Sequence, residues 1–366
     1  MFSAADHEFM GQALRLAGNG LYTTTPNPRV GCVIVRDGEV VGSGWHERAG
    51  GPHAEINALR QAGESARGAT VYVTLEPCCH HGRTPPCAEA LVDARVARVV
   101  AAMRDPNPLV AGNGLALLEL AGIPTISGLM GTEALELNLG FVSRMTRNRP
   151  WLRIKTAASL DGKTALNNGL SQWITGPDAR RDVHRLRARS CAMLTGIGTV
   201  LADDPTLTVR DVETSRQPLR VVVDSSLQTP VAAKILQGGA TLIVCAAEMS
   251  DSSIAGRAAA LRAAGAEVLA LPGADGRVDL AALLAELARR GCNEITVEAG
   301  ARLSGALLQA GLADELVLYY APLLLGDKAR GMFDLPELGG MAGRKELSVR
   351  DLRQVGRDFR LTARLI

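Results

Sequence analysis

The chain has 366 residues, enough for two domains at roughly 100–200 residues each. It is 47% hydrophobic and 21% charged with no low-complexity tract, which excludes a disordered chain. The 40 Lys and Arg stand against 38 Asp and Glu, a net charge of +2, which gives no support to a nucleic-acid or membrane surface.

The opening "MFSAADHEFMGQALRLAG" carries Asp6 and Glu8 where a secretory signal would carry basic residues and then an apolar run, so a helix is expected there. The longest apolar runs, such as "ELVLYYAPLLLG", fall short of the roughly 18 residues of a membrane span. A cytoplasmic protein with no membrane partner is the expectation. In a reducing compartment, disulfides explain clustered cysteines poorly. Cys32, Cys191, Cys245 and Cys292 lie in apolar settings and read as small core residues.

Next, "VGCVIVRDGEVVGSGWH" reads as two strands around Asp37-Gly38, a hairpin signal. "HAEINALRQAG" places Ile56, Leu59 and Ala62 on one face of a helix that ends at Gly63. "ATVYVTLEPC" is a strand entering a loop, "PCAEALVDAR" a helix, "VARVVAAMRDPNP" a strand and turn, and "GNGLALLELAGIPTISGL" a helix then a strand. Such alternation implies a parallel or mixed sheet covered by helices. The polar, basic "MTRNRP" reads as a linker, giving domains 1–148 and 149–366. Strand-like runs "WLRIKTAAS", "AMLTGIGTVLADDP", "LRVVVDSS", "ATLIVCAA", "EVLALPG", "EITVEAG" and "DELVLYYAP" then build a second α/β domain.

The chemistry concentrates in "PHAEIN" and "LEPCCHHGRTPPC". The whole chain has 7 Cys and 6 His, yet the second stretch alone holds Cys78, Cys79, His80, His81 and Cys87. One imidazole, His53, and two thiolates, Cys78 and Cys87, are good zinc ligands and leave a fourth tetrahedral position open for water. An open position marks a catalytic rather than a structural zinc. Glu55, two residues after His53, can take a proton from that water and pass it on. Adjacent residues seldom both reach one metal, so Cys79 is read as a neighbour of the site. A structural zinc on Cys78, Cys79, His81 and Cys87 is the competing reading, and it leaves "HAE" without a role.

The pattern H-x-E with P-C-x-x-C belongs to zinc nucleobase deaminases. Here eight residues separate the two cysteines instead of two. With "TTPNPRVGCVIV", "AGGPHAEINAL" and "DPNPLVAGNG", that departure resembles the deaminase half of the bifunctional riboflavin-biosynthesis diaminohydroxyphosphoribosylaminopyrimidine deaminase / 5-amino-6-(5-phosphoribosylamino)uracil reductase family. The resemblance implies hydrolytic deamination of 2,5-diamino-6-ribosylamino-4(3H)-pyrimidinone 5′-phosphate, with Asn27 near the substrate. His46, His80 and Arg83 are weaker candidates for base or phosphate contacts. For His46 and Arg83, solvated surface is the competing reading.

The second half has no metal-ligand cluster and no G-x-G-x-x-G. In "EITVEAGARLSGALL" a strand ends at Glu298 and a helix with small residues opens, a place suited to phosphate, with a plain strand-to-helix turn as the competing reading. "KTAASLDGKTA", "SQWITG", "DVHRLRARS", "TGIGTVLADDPTLTVR", "VVVDSS" and "VEAG" resemble the NADPH-dependent reductase half. The implied fold is an N-terminal cytidine-deaminase-like α/β/α domain followed by a dihydrofolate-reductase-like α/β domain. The implied reaction reduces the ribosyl group to ribityl. Substrate positions carried over are Lys155, Ser171, Arg187, Leu207, Arg210 and Glu298. Cofactor positions are Ala157, Trp173, Thr199, Asp203, Ser225, Gly300, Ala301, Arg302, Leu303, Ser304, Gly305 and Ala306. Arg187 and Arg210 can hold a phosphate as bidentate donors. Asp224, an acid at a strand end, argues mildly for NAD instead.

The expected cofactors are Zn2+ and NADPH, and the expected partner is a small phosphorylated pyrimidine, with no nucleic acid. A homo-oligomer is expected. Two other readings stay open: a nucleic-acid-editing deaminase, which leaves the second domain without a role, and a zinc-stabilised binding module without catalysis.

Overall fold

A computed structural model describes residues 2–79, 86–108, 110–247 and 252–366. His80, His81 and Arg83, singled out above, lie outside the described residues. The chain divides into two compact units, Met1–Arg149 and Pro150–Ile366.

The first unit runs α1 (Ala4–Gly18), β1 (Gly31–Arg36), β2 (Glu39–Trp45), α2 (Ala54–Ala62), β3 (Thr70–Val73), α3 (Cys87–Asp93), β4 (Arg98–Ala101), α4 (Asn113–Leu120), β5 (Thr125–Ser127), α5 (Gly131–Leu137) and α6 (Leu139–Arg147). Its strands order as β2-β1-β3-β4-β5. β1 is antiparallel to β2 and β3, while β3, β4 and β5 are parallel. Side chains alternate across each strand. Cys32, Ile34, Val71, Val73 and Val99 therefore pack with Ala54, Ala58, Leu91 and Leu118 on one face. Val33, Val35, Tyr72 and Val100 pack with Met10 and Ala13 on the other. The sheet lies between helical layers.

Two glycines set how closely helices approach this sheet. A Cβ on Gly31 would meet the Ala13 carbonyl oxygen at 2.0 Å, and one on Gly44 would meet the Ala54 carbonyl oxygen at 2.7 Å. The bare Gly44 backbone lets the first turn of α2 seat directly on β2.

"MTRNRP" is not wholly a linker. α6 continues through Arg147, and Asn148 follows in the left-handed region at φ 52°. The polar letters are the outer face of a last helical turn, with Arg144 and Arg147 at the negative end of its dipole.

The second unit runs β6 (Trp151–Ser159), β7 (Lys163–Ala165), α7 (Pro177–Arg189), β8 (Ala192–Gly196), α8 (Ile197–Asp203), β9 (Leu219–Val223), β10 (Thr241–Cys245), α9 (Ser252–Ala263), β11 (Glu267–Ala270), α10 (Leu280–Arg289), β12 (Glu294–Val297), α11 (Ala301–Gln309), β13 (Glu315–Ala321), β14 (Arg330–Gly331), β15 (Leu347–Val355) and β16 (Asp358–Leu365). Nine strands order as β11-β10-β9-β8-β12-β6-β13-β16-β15 among the described residues. All pairs from β11 to β13 are parallel, and β16 and β15 close the sheet antiparallel. Val221, Leu242 and Val244 face Leu283, Leu287 and Leu307, while Val222, Ile243 and Cys245 face Ala258 and Leu261. The carboxyl ends of β6, β8, β9 and β12 lie along one edge of the sheet, where an open α/β fold binds ligands. Among the described residues, no helix is long and apolar enough to cross a membrane.

Candidate active sites

In the first unit, His53 is the N-cap of α2, with extended backbone and no side-chain cap bond, so its imidazole is free for other use. Its Nδ1 lies 3.3 Å from the Cys87 Sγ and 3.5 Å from the Cys78 Sγ. Cys87 opens α3, and its N–H donates to the Cys78 Sγ at 3.3 Å. These three residues form the one group among the described residues whose donor atoms converge as metal ligands, all within 4.8 Å of one another. A tetrahedral zinc with Zn–N near 2.0 Å and Zn–S near 2.3 Å holds its nitrogen and sulfur about 3.5 Å apart. The observed spacings fit that ion. A hydrogen bond with Cys87, and then one with His53, hold the Cys78 thiol below its ordinary range, against its burial. Cys79 is half-buried outside the group, and burial raises its thiol.

Glu55, second residue of α2, is 3% exposed. Burial pushes its carboxyl up to about 7, against the opposing pull of His53. A carboxyl poised near neutrality can both take and return a proton. Asn27 donates from its amide to His46 Nε2 at 3.0 Å, and His46 Nδ1 lies 2.9 Å from the Pro52 carbonyl oxygen. A carbonyl only accepts, so Nδ1 carries the proton and the imidazole is neutral. His46 is thus buried, not solvated surface, and its ring packs edge-on to His53 at 5.4 Å between centroids.

Glu76 escaped the sequence reading. Its buried carboxylate accepts from the N–H groups of Asp105, Gly112, Gly114 and Leu115, so it ties the stretch between β3 and Cys78 to Asp105 and to the start of α4.

In the second unit, β6 alternation puts Lys155 and Ala157 on a common face. Glu298, just past β12, accepts from Arg187 Nε at 2.6 Å and Nη2 at 3.0 Å, and Lys155 Nζ lies 3.6 Å away. Burial raises the Glu298 carboxyl, but Arg187 and Lys155 outweigh it and hold it at about 2. Arg187 Nη1 donates to the Thr208 carbonyl at 3.1 Å. Arg210 is exposed, with Nη1 2.8 Å from Thr206 Oγ1. Between them Leu207 is buried in the left-handed region at φ 51°. Lys155, Arg187 and Glu298 therefore form one cluster, and the Arg187–Thr208 bond ties it to the segment that carries Leu207 and Arg210. Arg187 departs from its expected use: the Nε/Nη2 edge that would clamp a phosphate already holds Glu298.

Three of the cofactor candidates follow strands at the carboxyl edge. Gly300 caps α11, Thr199 lies on α8 after β8, and Ser225 follows β9. Ser304 has a fully buried hydroxyl with no hydrogen-bond partner. Such an orphaned polar atom near a helix start fits a polar ligand. Gly305 instead serves packing, since a Cβ there would meet the Asp334 carbonyl oxygen at 2.1 Å. Trp173 is 68% exposed, with the Arg180 guanidinium 4.6 Å from its ring centroid. Asp224 is fully buried, and its Oδ2 accepts from Thr229 N–H and Oγ1, both at 2.7 Å. It holds a turn through Oδ2, and its Oδ1 is also buried, which weakens the argument for NAD. Ser171 is half-buried and Asp203 exposed, and neither joins the cluster around Glu298.

Residues 150–361 match the RibD C-terminal domain, and residues 3–103 match the cytidine and deoxycytidylate deaminase zinc-binding region. The riboflavin biosynthesis protein RibD of Escherichia coli (strain K12) is 52% identical, over 96% of this chain and 97% of its own. The chain belongs to the RibD family. Acinetobacter baumannii RibD has a similar structure, with a TM-score of 0.89 at 45% identity over 99% of both chains. The Thermotoga maritima diaminohydroxyphosphoribosylaminopyrimidine deaminase/5-amino-6-(5-phosphoribosylamino)uracil reductase gives 0.86 at 31%, again over 99% of both. As a RibD, the chain is a bifunctional deaminase and reductase of riboflavin biosynthesis, with zinc and NADPH as its cofactors. RibD membership also gives the second unit the role that an editing deaminase leaves vacant.

Proposed function

We propose that His53, Cys78 and Cys87 hold the zinc, that Glu55 is the deaminase proton carrier, and that the Glu298 cluster is the reductase substrate site. The observation that carries this reading is a metal-capable cluster beside a buried carboxyl in the first unit, with a separate cation-rich cluster at the sheet edge of the second.

Bound zinc supplies a Lewis acid that brings a coordinated water to a pKa of about 7. Glu55 accepts the proton of the attacking water, delivers it to the ring nitrogen and passes a second one to the departing ammonia. Asn27, fixed by His46, faces the pyrimidinone. The substrate is 2,5-diamino-6-ribosylamino-4(3H)-pyrimidinone 5′-phosphate.

In the second unit, NADPH supplies the hydride for reduction of the ribosyl group to ribityl. Glu298, held ionised, fixes Arg187 and Lys155. With Arg210 these cations exceed the one carboxylate, and the surplus receives the substrate phosphate. Ala157, Trp173, Thr199, Asp203, Ser225 and the helix start Gly300–Ser304 border the cofactor.

The near balance of 40 basic and 38 acidic residues supports a small-molecule substrate over nucleic acid. We propose a cytoplasmic homo-oligomer divided near residues 148–149. The test supplies the phosphorylated diaminopyrimidinone with NADPH and follows ammonia and NADPH oxidation together. Ammonia should appear first, and oxidation should depend on it. Oxidation without prior ammonia release would refute the order.

A further inference from the structure

His184 sits on α7 one turn before Arg187, with its side chain 6% exposed. The Arg210 N–H donates to its Nδ1 at 3.2 Å. A backbone N–H only donates, so Nδ1 is the acceptor and the neutral ring carries its proton on Nε2. That nitrogen lies 3.6 Å from the Asp211 carboxylate.

Residues 204–210 form neither helix nor strand. Side chains must therefore fix this segment. α7 grips it twice, through His184 on the Arg210 N–H and through Arg187 on the Thr208 carbonyl. From elsewhere, Gln217 accepts the Val209 N–H at 2.7 Å and donates to the Val209 carbonyl at 3.1 Å. Of these holds, only the one from His184 falls on Arg210, whose guanidinium stays exposed.

We infer that His184 is a positioning residue of the reductase: its Nδ1 holds the Arg210 backbone so that the Arg210 guanidinium meets the substrate phosphate. This rests on Arg210 being a phosphate contact. An imidazolium has no acceptor nitrogen, so the hold is lost when His184 is protonated. The charged groups around the ring are Arg187, Arg210, Asp211 and Glu298. Burial first, and then Arg187 and Arg210, keep the imidazole below its ordinary range, against Asp211 and Glu298. The grip thus persists at neutral pH and fails on the acid side of about 6.5.

The test uses the full-length zinc enzyme, with the deaminated phosphorylated aminouracil as reductase substrate. In His184→Asn an amide oxygen can take the place of Nδ1, and in His184→Leu no acceptor remains. His184→Leu should raise KM for the aminouracil about tenfold, the effect of a ligand group displaced by a fraction of an ångström, with kcat within about twofold. KM for NADPH and the rate of ammonia release should not change. His184→Asn should recover most of the affinity. Between pH 7.5 and 5.5 the substrate phosphate, with a pKa near 6, gives every variant an acid limb in kcat/KM. The wild-type limb should be steeper than that of His184→Asn.

Arg210→Ala should itself raise KM at least tenfold, and adding His184→Leu to it should add less than about twofold. A normal KM in a folded His184→Leu overturns the inference, as does a full additional loss in the double variant. If His184→Leu does not fold, identical acid limbs in wild type and His184→Asn overturn it. If Arg210→Ala leaves KM unchanged, the phosphate reading of Arg210 fails, and the role of His184 fails with it.

Discussion

The Arg187 guanidinium donates to both carboxylate oxygens of Glu298, at 2.6 and 3.0 Å, joining α7 to the end of β12. The pair is nearly buried, with side chains 13% and 12% exposed. Removing one partner of such a pair strands the other's charge out of water, which costs far more than the pair contributes.

Arg187→Ala should therefore lower reductase kcat/KM by about a hundredfold, the scale of an uncompensated buried charge. Ammonia release should stay near normal, because the zinc group and Glu55 lie in the other unit. Parallel assays of the two activities check this. A substitution at Arg187 or Lys155 that abolishes ammonia release with zinc still bound would sink the two-site reading.

The same pair sets a pH dependence. Glu298 falls from an ordinary 4.5 to about 2 in the folded chain. A depressed carboxylate stabilises the fold fully above its unfolded value, and that contribution disappears as the native group takes up its proton. The difference in thermal midpoint between wild type and Glu298→Gln should thus shrink as pH falls from 4.5 towards 2. A constant difference across that range would show that Glu298 does not titrate there.

What was legible in the sequence depended on how local the physics is. The Asp37-Gly38 hairpin, the end of α2 at Gly63 and the ligand types at His53, Cys78 and Cys87 follow from short spacings. The long-range partnerships do not. Nothing near Glu298 announces that Arg187 closes on it, and nothing near Glu76 announces the four N–H groups it accepts. The β15–β16 hairpin also went unread. Arg350, Asp351 and Arg353 break its apolar alternation, and the strand leaves Val349 and Leu352 60% and 64% exposed. The end of α6 was hidden for a related reason: an exposed last turn has the composition of a linker.

Cys79→Ser should keep a full complement of zinc, since its thiol stands outside the converging group. Cys87→Ser should lose most of it, because a hydroxyl is a poor substitute for a thiolate. Metal analysis after gel filtration reads both. Zinc loss in the first variant, or retention in the second, would reassign the ligands.

Glu55→Gln preserves shape and burial but cannot accept a proton. Ammonia release should fall by roughly two to four decades, the range of general acid–base catalysis. Zinc content and NADPH oxidation on the deaminated substrate should not change. Near-normal ammonia release would leave Glu55 without the proton-carrying role.

The last expectation concerns cofactor choice, where sequence and structure point different ways. An acid at a strand end ordinarily receives the ribose hydroxyls of NAD, and Asp224 closes β9. Its carboxylate is instead fully buried and accepts twice from Thr229. Asp224→Ala would strip the acceptor from two groups, the N–H and hydroxyl of Thr229, in a buried turn. Leaving such groups unsatisfied costs about 1–3 kcal/mol each. For a unit of this size each kcal/mol lowers the thermal midpoint by about 2–4 °C. The variant should melt several degrees lower yet keep its preference for NADPH, measured as the ratio of kcat/KM for NADPH and NADH. A ratio that moves strongly towards NADPH, with little loss of stability, would mean that Asp224 does face the ribose and that its burial in the turn is not its working state.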